Sequence, residues 1–306
     1  MTSHSQSAPP ASADSDPDST PCTACTWTTH RQRGCSCKSH VQIFYECSDR
    51  AVWSLGSRLI LKDRGPSHHT NEKPSVRFVK EHTSIYVPDI LEPWEENDGH
   101  AMTLMRRVLG VPLSKAWPNL SNDERENIAR QTAESLLELR KLQSESFYSL
   151  NAEGGQIRDS FLFDADKAWV LRNPITSDEA LWKEMEPGIP DSIPQSVRER
   201  LRQTIPPAQP YTFTHGDLTD VNIMVENGSL SGIIDWESAA YYPAWWEYAK
   251  TSILNSEEDY EWKVFLRKYM PDHSKAREWW RVYYWLCRDK EHEVERAFIE
   301  EMEGVV

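Results

Sequence analysis

The stretch His215-Gly-Asp-Leu-Thr-Asp-Val-Asn222 sets Asp217 and Asn222 five positions apart, and Asp235 follows thirteen positions later. Between them, two apolar runs, Ile223-Met-Val and Leu230-Ser-Gly-Ile-Ile, flank Asn227-Gly228, a dipeptide that strongly signals a β-hairpin. Such a hairpin folds Asp235 back towards Asn222. Transfer of a γ-phosphoryl group needs a carboxylate to orient an attacking hydroxyl and hard oxygen ligands for Mg²⁺, because the transition state is rich in charge. Asp217 supplies the first, and Asn222 and Asp235 supply the second. Asp217 and Asp220 could each equally be turn formers, whose side chains bond local backbone. The joint spacing of Asp217, Asn222 and Asp235, with a Lys and a Glu upstream, is what points to chemistry. Asp220 reads as loop structure and His215 as a brace.

The elements around these residues fall into two groups. Val41–Glu46, the stretch AVWSLG and the stretch SRLILKDR read as strands of a small antiparallel sheet, with Lys62 on the last. A helix follows over Asn71 to His82, with Pro74 tolerated in its first turn. IYVPDILEPW and AMTLMRRVL read as further strands around the turn Glu96-Asn-Asp-Gly99. After Gly110 the chain turns helical. Ser121-Asn-Asp-Glu124 is a capping box, and Ile128, Leu136, Leu139 and Leu142 recur at helical spacing, predicting a helix to about Ser144. Asp178–Glu186, Gln195–Thr204 and two stretches with Ser caps at Ser256 and Ser274 read as further helices. Strands segregated from helices give an α+β fold. The expected domains are a leader of residues 1–40, a β-rich lobe of residues 41–109 and a larger, mainly helical lobe of residues 110–306 containing one hairpin.

The chain has 306 residues, with 48 acidic and 34 basic side chains and a formal charge of −14. That balance argues against nucleic acid, which is bound through clustered Lys and Arg, and would suit a cationic small molecule or a metal ion. No apolar run approaches the ~18–20 residues needed to span a bilayer, and the polar N-terminus is no secretory signal, so the expected address is cytoplasmic. Residues 1–20 are too polar to offset the entropy of ordering. Cys22, Cys25, Cys35 and Cys37, with His30 and His40 nearby, could ligate zinc, although free thiols in a reducing compartment are the simpler reading. Trp245 and Trp246 read as core. Glu237 reads as an indirect metal neighbour or a cap, and Glu247 as structural. Acidic and aromatic residues over Glu257 to Trp262 could receive a cation, or simply form a capped, solvated helix start. Residues 251–306 carry 13 acidic against 9 basic side chains, an excess too small to name a cationic acceptor.

The run HGDLTDVNIMV…GIIDWE resembles the aminoglycoside phosphotransferase family, especially its kinase-like members of filamentous fungi. ILKDR, NEKPSVRFVKEHTSIYVP and LSKAWPNLSNDER extend the likeness over roughly residues 41–290. The resemblance implies a protein-kinase-like fold of two lobes and an ATP- and Mg²⁺-dependent transfer to a hydroxyl of a small molecule. It implies Asp217 as the catalytic carboxylate, His215 as its brace, and Asn222 and Asp235 as Mg²⁺ ligands. Lys62 would contact the α- and β-phosphates, Glu72 would pair with Lys62, and Met105, Arg106, Arg107 and Val108 would border the adenine. Two departures stand out. No Gly-x-Gly-x-x-Gly precedes Lys62, leaving Ser48-Asp49-Arg50 or the region of Gly56 to cover phosphates, and Arg106 stands where relatives often have Glu. An inactive binding or scaffold protein is the alternative function. A protein kinase fits less well, since YYPAWWEYAK follows Asp235 too closely for an activation loop.

Overall fold

The computed structural model describes residues 41–47, 50–66, 71–151, 154–163 and 170–288. The leader with Cys22, Cys25, Cys35 and Cys37 and the turn Ser48-Asp49 lie outside the described residues. The chain divides into two compact units. One runs to His68 and takes in Leu91–Arg107, and the other comprises His69–Ile90 with everything from Val108 onward.

The first unit is built on a five-stranded sheet formed by β1 (Val41–Cys47), β2 (Arg50–Leu55), β3 (Leu59–Pro66), β4 (Ile90–Glu95) and β5 (His100–Arg106), in the order β1-β2-β3-β5-β4. β1 and β2, β2 and β3, and β3 and β5 pair antiparallel, with Lys62 opposite Val52 on one side and Thr103 on the other. Glu96 and Gly99 close the turn into β5: the Gly99 amide donates to Glu96 O and the Glu96 amide to His100 O, both at 2.9 Å. The strand expected to begin at Ile85 begins at Ile90. The Tyr86 carbonyl instead accepts from Ile233 N at 3.0 Å, which draws this segment onto the second unit.

The second unit opens with α1 (Glu72–His82), then β6 (Val111–Pro112), α2 (Leu113–Ala116) and a 3-10 turn over Trp117–Asn119. The long helix α3 (Asn122–Leu139) begins in the expected capping box: Ser121 Oγ accepts from Glu124 N, and Glu124 accepts from Ser121 N. It stops five residues short of the expected end, because Leu142 O accepts from Phe213 N and β7 (Gln143–Ser144) pairs with β9 (Tyr211–Thr214). β8 (Tyr148–Ser149), α4 (Asp178–Met185) and α5 (Gln195–Gln203) lead to β9. The hairpin strands β10 (Ile223–Glu226) and β11 (Ser229–Ile233) follow, then β12 (Ala240–Pro243), α6 (Trp246–Lys250), α7 (Glu257–Arg267) and α8 (Ser274–Arg288). The expected hairpin belongs to a larger sheet. It joins β6 in the order β11-β10-β6, and β7-β9-β12-β8 form a second sheet. Ser274 is the first residue of α8 rather than its cap, and its amide donates to Asp272 Oδ1 at 2.8 Å.

The hydrophobic core cluster lies wholly within this unit. Trp117, Trp236, Trp246, Trp262 and Trp280 are among its fully buried side chains, and most of them find a partner for the indole N–H. Trp236 donates to Ile233 O at 2.9 Å, Trp262 to Leu218 O at 3.3 Å and Trp117 to Glu261 Oε2 at 2.8 Å, which lets large apolar rings be buried without a stranded polar group. The result is a mixed α+β fold. No helix among the described residues is long and apolar enough to cross a membrane.

Candidate active site

Strand β9 is buried at all four positions and delivers the chain to His215, which is itself fully buried. Asp217 N donates to His215 Nδ1 at 3.1 Å, so that nitrogen is an acceptor and the ring proton sits on Nε2, which donates to Ile234 O at 2.9 Å. Trp236 meets the imidazole edge-on, with ring centroids 4.6 Å apart. One neutral ring thus links the backbone of Asp217 to that of Ile234, the residue before Asp235.

Gly216 makes the turn possible. Its φ is +78°, and a Cβ there would lie 2.8 Å from Ser238 O, so both conformation and space exclude a side chain. Its amide donates to Glu247 Oε2 at 3.1 Å, and its carbonyl accepts from Lys250 Nζ. Burial pushes the Glu247 carboxyl up, against the opposing pull of the Gly216 amide and of the Lys250 ammonium. Glu247 thus ties α6 to the loop at Gly216.

Asn222 completes the loop. Its Nδ2 donates to Asp217 O at 2.9 Å and to Asp217 Oδ2 at 3.1 Å, while its own backbone is pinned at Thr219 O and Ile234 N, 3.0 Å each. With Nδ2 committed to Asp217, the atom left to face a ligand is the amide oxygen. Asn227 and Gly228 both take positive φ, 49° and 70°, the geometry an Asn-Gly hairpin turn requires. α3 clamps that turn: Asn127 Nδ2 donates to Gly228 O at 3.1 Å and Gln131 Oε1 accepts from Leu230 N at 2.7 Å. A bulge between Met224 and Val225 breaks the register. Asp235 ends the hairpin in a left-handed conformation, φ 66° and ψ 59°, heading the 3-10 turn Trp236–Ser238 that includes Glu237. A non-glycine residue there is strained, and such strain clusters at functional sites. Asn71 Nδ2 donates to Ala239 O at 2.8 Å, which ties the start of α1, with buried Glu72 as its first residue, to the segment just past Asp235.

The structure thus draws Asp217, His215, Asn222 and the approach to Asp235 into one hydrogen-bonded knot. A small cleft beside it, of about 50 Å³, is lined by Asp217, Thr219, Lys250, Lys263 and Phe161 among others. Most of the remaining residues singled out from the sequence belong to the first unit. Lys62 is a buried residue of β3. Met105 is buried within β5, Arg106 ends that strand exposed, and Val108 is buried in the second unit. Arg107 turns back onto its own sheet, donating to Ser54 Oγ and lying 4.8 Å from the Phe44 ring centroid.

The sequence reading missed a buried ionic support behind the loop. Asp259 is fully buried. Its Oδ1 accepts from Asp220 N at 3.1 Å, and its Oδ2 from Lys263 Nζ at 2.6 Å and Asn255 N at 3.1 Å. The first turn of α7 is therefore not simply a solvated start. Lys263 stands four residues after Asp259, and that spacing on an otherwise amphipathic helix was the available signal.

Residues 47–279 match the family model described as the phosphotransferase enzyme family. The chain belongs to that family. It is similar to aminoglycoside 3'-phosphotransferase of Enterococcus faecalis, 26% identical over 208 residues that cover 67% of this chain and 72% of the relative. Among solved structures, the ternary complex of APH(2")-IIa with streptomycin and ATP superposes with a TM-score of 0.53 at 15% identity, over 86% of this chain and 90% of that one. A thermostable mutant of APH(4)-Ia in ternary complex with ADP and hygromycin B gives 0.54 at 17% identity, over the same shares. These superpositions speak for the fold.

Proposed function

We propose that this chain is an ATP- and Mg²⁺-dependent phosphotransferase acting on a hydroxyl group of a small molecule. The observation that carries the reading is the knot itself: a carboxylate, Asp217, held in place by Asn222, in a loop that His215 fastens next to Asp235. Kinship with an ATP-bound aminoglycoside kinase fold supports ATP as the donor. The donor set suits Mg²⁺, since Asn222 presents an amide oxygen and Asp235 a carboxylate, hard ligands that leave room for phosphate oxygens and water. When bound, the ion would neutralise charge on the transferring phosphoryl group.

In this reading Asp217 orients the acceptor hydroxyl and takes its proton as the new O–P bond forms. The bond from the γ-phosphorus to the bridging oxygen breaks, and ADP leaves with that electron pair. Asn222 keeps the Asp217 carboxylate aimed, His215 and Glu247 fix the backbone on either side of Gly216, and Lys62 steadies the nucleotide phosphates. Residues 41–109, with Met105, Arg106, Arg107 and Val108 at their end, serve the nucleotide, and residues 110–306 carry the catalytic groups and receive the acceptor. The two-lobe kinase-like arrangement, the likeness to fungal members and a cytoplasmic address belong to the same proposal.

The test is ADP formation with Mg-ATP across a panel of alcohols, with the acceptor's gain of one phosphoryl group followed by mass spectrometry. The expected result is ADP release that depends on an acceptor and stops when Mg²⁺ is chelated. Tight Mg-ATP binding with no transfer to any alcohol would favour the rival reading, a binding protein that keeps the fold without turnover.

A further inference from the structure

We infer that the acceptor is an alcohol carrying an anionic group, a hydroxy acid in its simplest form, and that Lys250 and Thr219 hold the anion beside Asp217. This rests on the phosphotransferase reading and names the substrate class for the same site. The local charge opposes the charge of the chain. Of the carboxylates at the cleft, Asp217 is reserved for the reacting hydroxyl, and Glu247 is buried under the Gly216 amide. Asp159 and Asp259, in the flanking segments, are consumed: Asp159 accepts from Phe161 N, Leu162 N and the Tyr242 hydroxyl, and Asp259 from Asp220 N, Asn255 N and Lys263. Asp220, next to Thr219, keeps Oδ2 buried without a partner but is not among the residues that line the cleft, so a polyamine there would meet only the reacting Asp217 and the buried Glu247 as carboxylates.

The cations differ. Lys263 is sealed by Asp259 and Ile253 O, 2.6 Å each. Lys250 is half-buried on the cleft wall, donates to Gly216 O and lies 4.6 Å from the Phe161 ring centroid. An ammonium has three donors, and one is used on Gly216. Arg288 stands near the same ring, 5.8 Å from its centroid, which adds positive potential at that wall. Thr219 supplies the second observation. It lines the cleft at 6% exposure, and its Oγ1 is buried without a hydrogen-bond partner, a costly state that an acceptor oxygen from a ligand relieves. Because the carbonyl that Lys250 holds belongs to the residue before Asp217, an anion on Lys250 brings its neighbouring hydroxyl to the catalytic carboxylate. Phe161, Leu218 and Leu266 offer an apolar wall for the rest of the molecule.

The experiment compares matched acceptors that share one hydroxyl and differ only in a carboxylate, a carboxamide or an aminomethyl group, alongside aminoglycosides. ADP release is measured for the native chain, Lys250→Gln, Lys250→Arg and Thr219→Val. The native enzyme is expected to prefer carboxylate over carboxamide by about tenfold or more in kcat/KM, the size of a charge-assisted hydrogen bond. Lys250→Gln should bring that ratio near one, Lys250→Arg should restore it, and Thr219→Val should lower it in part. A purely structural role for Lys250 would lower both acceptors together and leave the ratio intact, which overturns the inference. Preference for amines or aminoglycosides also overturns it. Calorimetry with Mg-ATP separates the two levels: nucleotide binding and slow ATP hydrolysis without turnover of any carboxylate acceptor defeat this inference alone. Absence of nucleotide binding defeats the phosphotransferase reading with it.

Discussion

Strand β9 and the residues that follow it, through Gly216, are buried without interruption, whereas β1, at the edge of the five-stranded sheet, exposes Val41, Ile43, Phe44 and Tyr45. Among the described residues, the hydrophobic core cluster draws nothing from the first unit, whose buried apolar side chains are Ala51 and Met105. That sheet is held chiefly by its backbone ladder. The second unit holds its loop by core packing, by His215 and Glu247, and by the Asp259–Lys263 pair. In the second unit, then, the groups that would do chemistry and the groups that hold the fold share hydrogen bonds. In the first, Lys62 is a buried charged residue of β3 in a unit with few buried apolar side chains among the described residues.

Gly216→Ala should have the largest effect. A Cβ at positive φ against Ser238 O is expected to cost about 2–4 kcal/mol of stability and to move Asp217, lowering turnover by about 10²-fold or more. Denaturant melts and ADP release check both; an active and stable variant would mean that the loop is not rigidly seated. Lys62→Met sharpens the contrast. The KM for ATP is expected to rise by about 10- to 100-fold, as for a lost charge-assisted contact, with a smaller loss of stability than in Gly216→Ala. A large loss of stability would erase the distinction between the units.

Glu247 offers a smaller and more selective change. Glu247→Gln keeps an oxygen for the Gly216 amide and removes a charge whose burial is unfavourable, so kcat should fall less than in Glu247→Ala, by about 10-fold between the two. Equal loss in both would mean that the charge, not the acceptor, matters. The smallest effect concerns His273, whose Nε2 faces Arg140 Nη1 at 3.0 Å. Burial first, then Arg140, hold its pKa below the ordinary value of 6.5, against a weaker pull from Asp272. The unfolded chain therefore binds more protons than the folded one below pH 6.5, and stability contributed by neutral His273 is lost as pH falls through that range. His273→Gln should flatten this part of the pH profile of the melting temperature; an unchanged slope would remove His273 from the account.

Much of this was legible in the sequence, for identifiable reasons. Asn227-Gly228 dictates its turn locally, and the Ser121–Glu124 box dictates where α3 starts, so both were foreseen in detail. The end of α3 was not, because Leu142–Ser144 are claimed by β9, about seventy residues away, and helical periodicity carries no trace of that pairing. Asp217, Asn222 and Asp235 were legible as a set through their spacing. The sequence reads His215 as a brace without naming its partner; the Ile234 carbonyl that accepts from its Nε2 is not legible, since backbone acceptors leave no mark on sequence. The suitability of the site for a cation was inferred from a formal charge of −14. The proposed anionic acceptor departs from that expectation, because net charge sums over the whole chain while Asp159, Glu247 and Asp259 hold their carboxylates inside.

The measurement that bears most directly on the central claim is single-turnover transfer by Asp217→Asn on an accepted alcohol, with Mg-ATP affinity and melting temperature taken in parallel. The amide keeps the size of the side chain and loses the proton acceptor. The account predicts a fall in the transfer rate of about 10²–10⁴-fold with nucleotide affinity and stability nearly unchanged, and transfer at the native rate in that variant would contradict it.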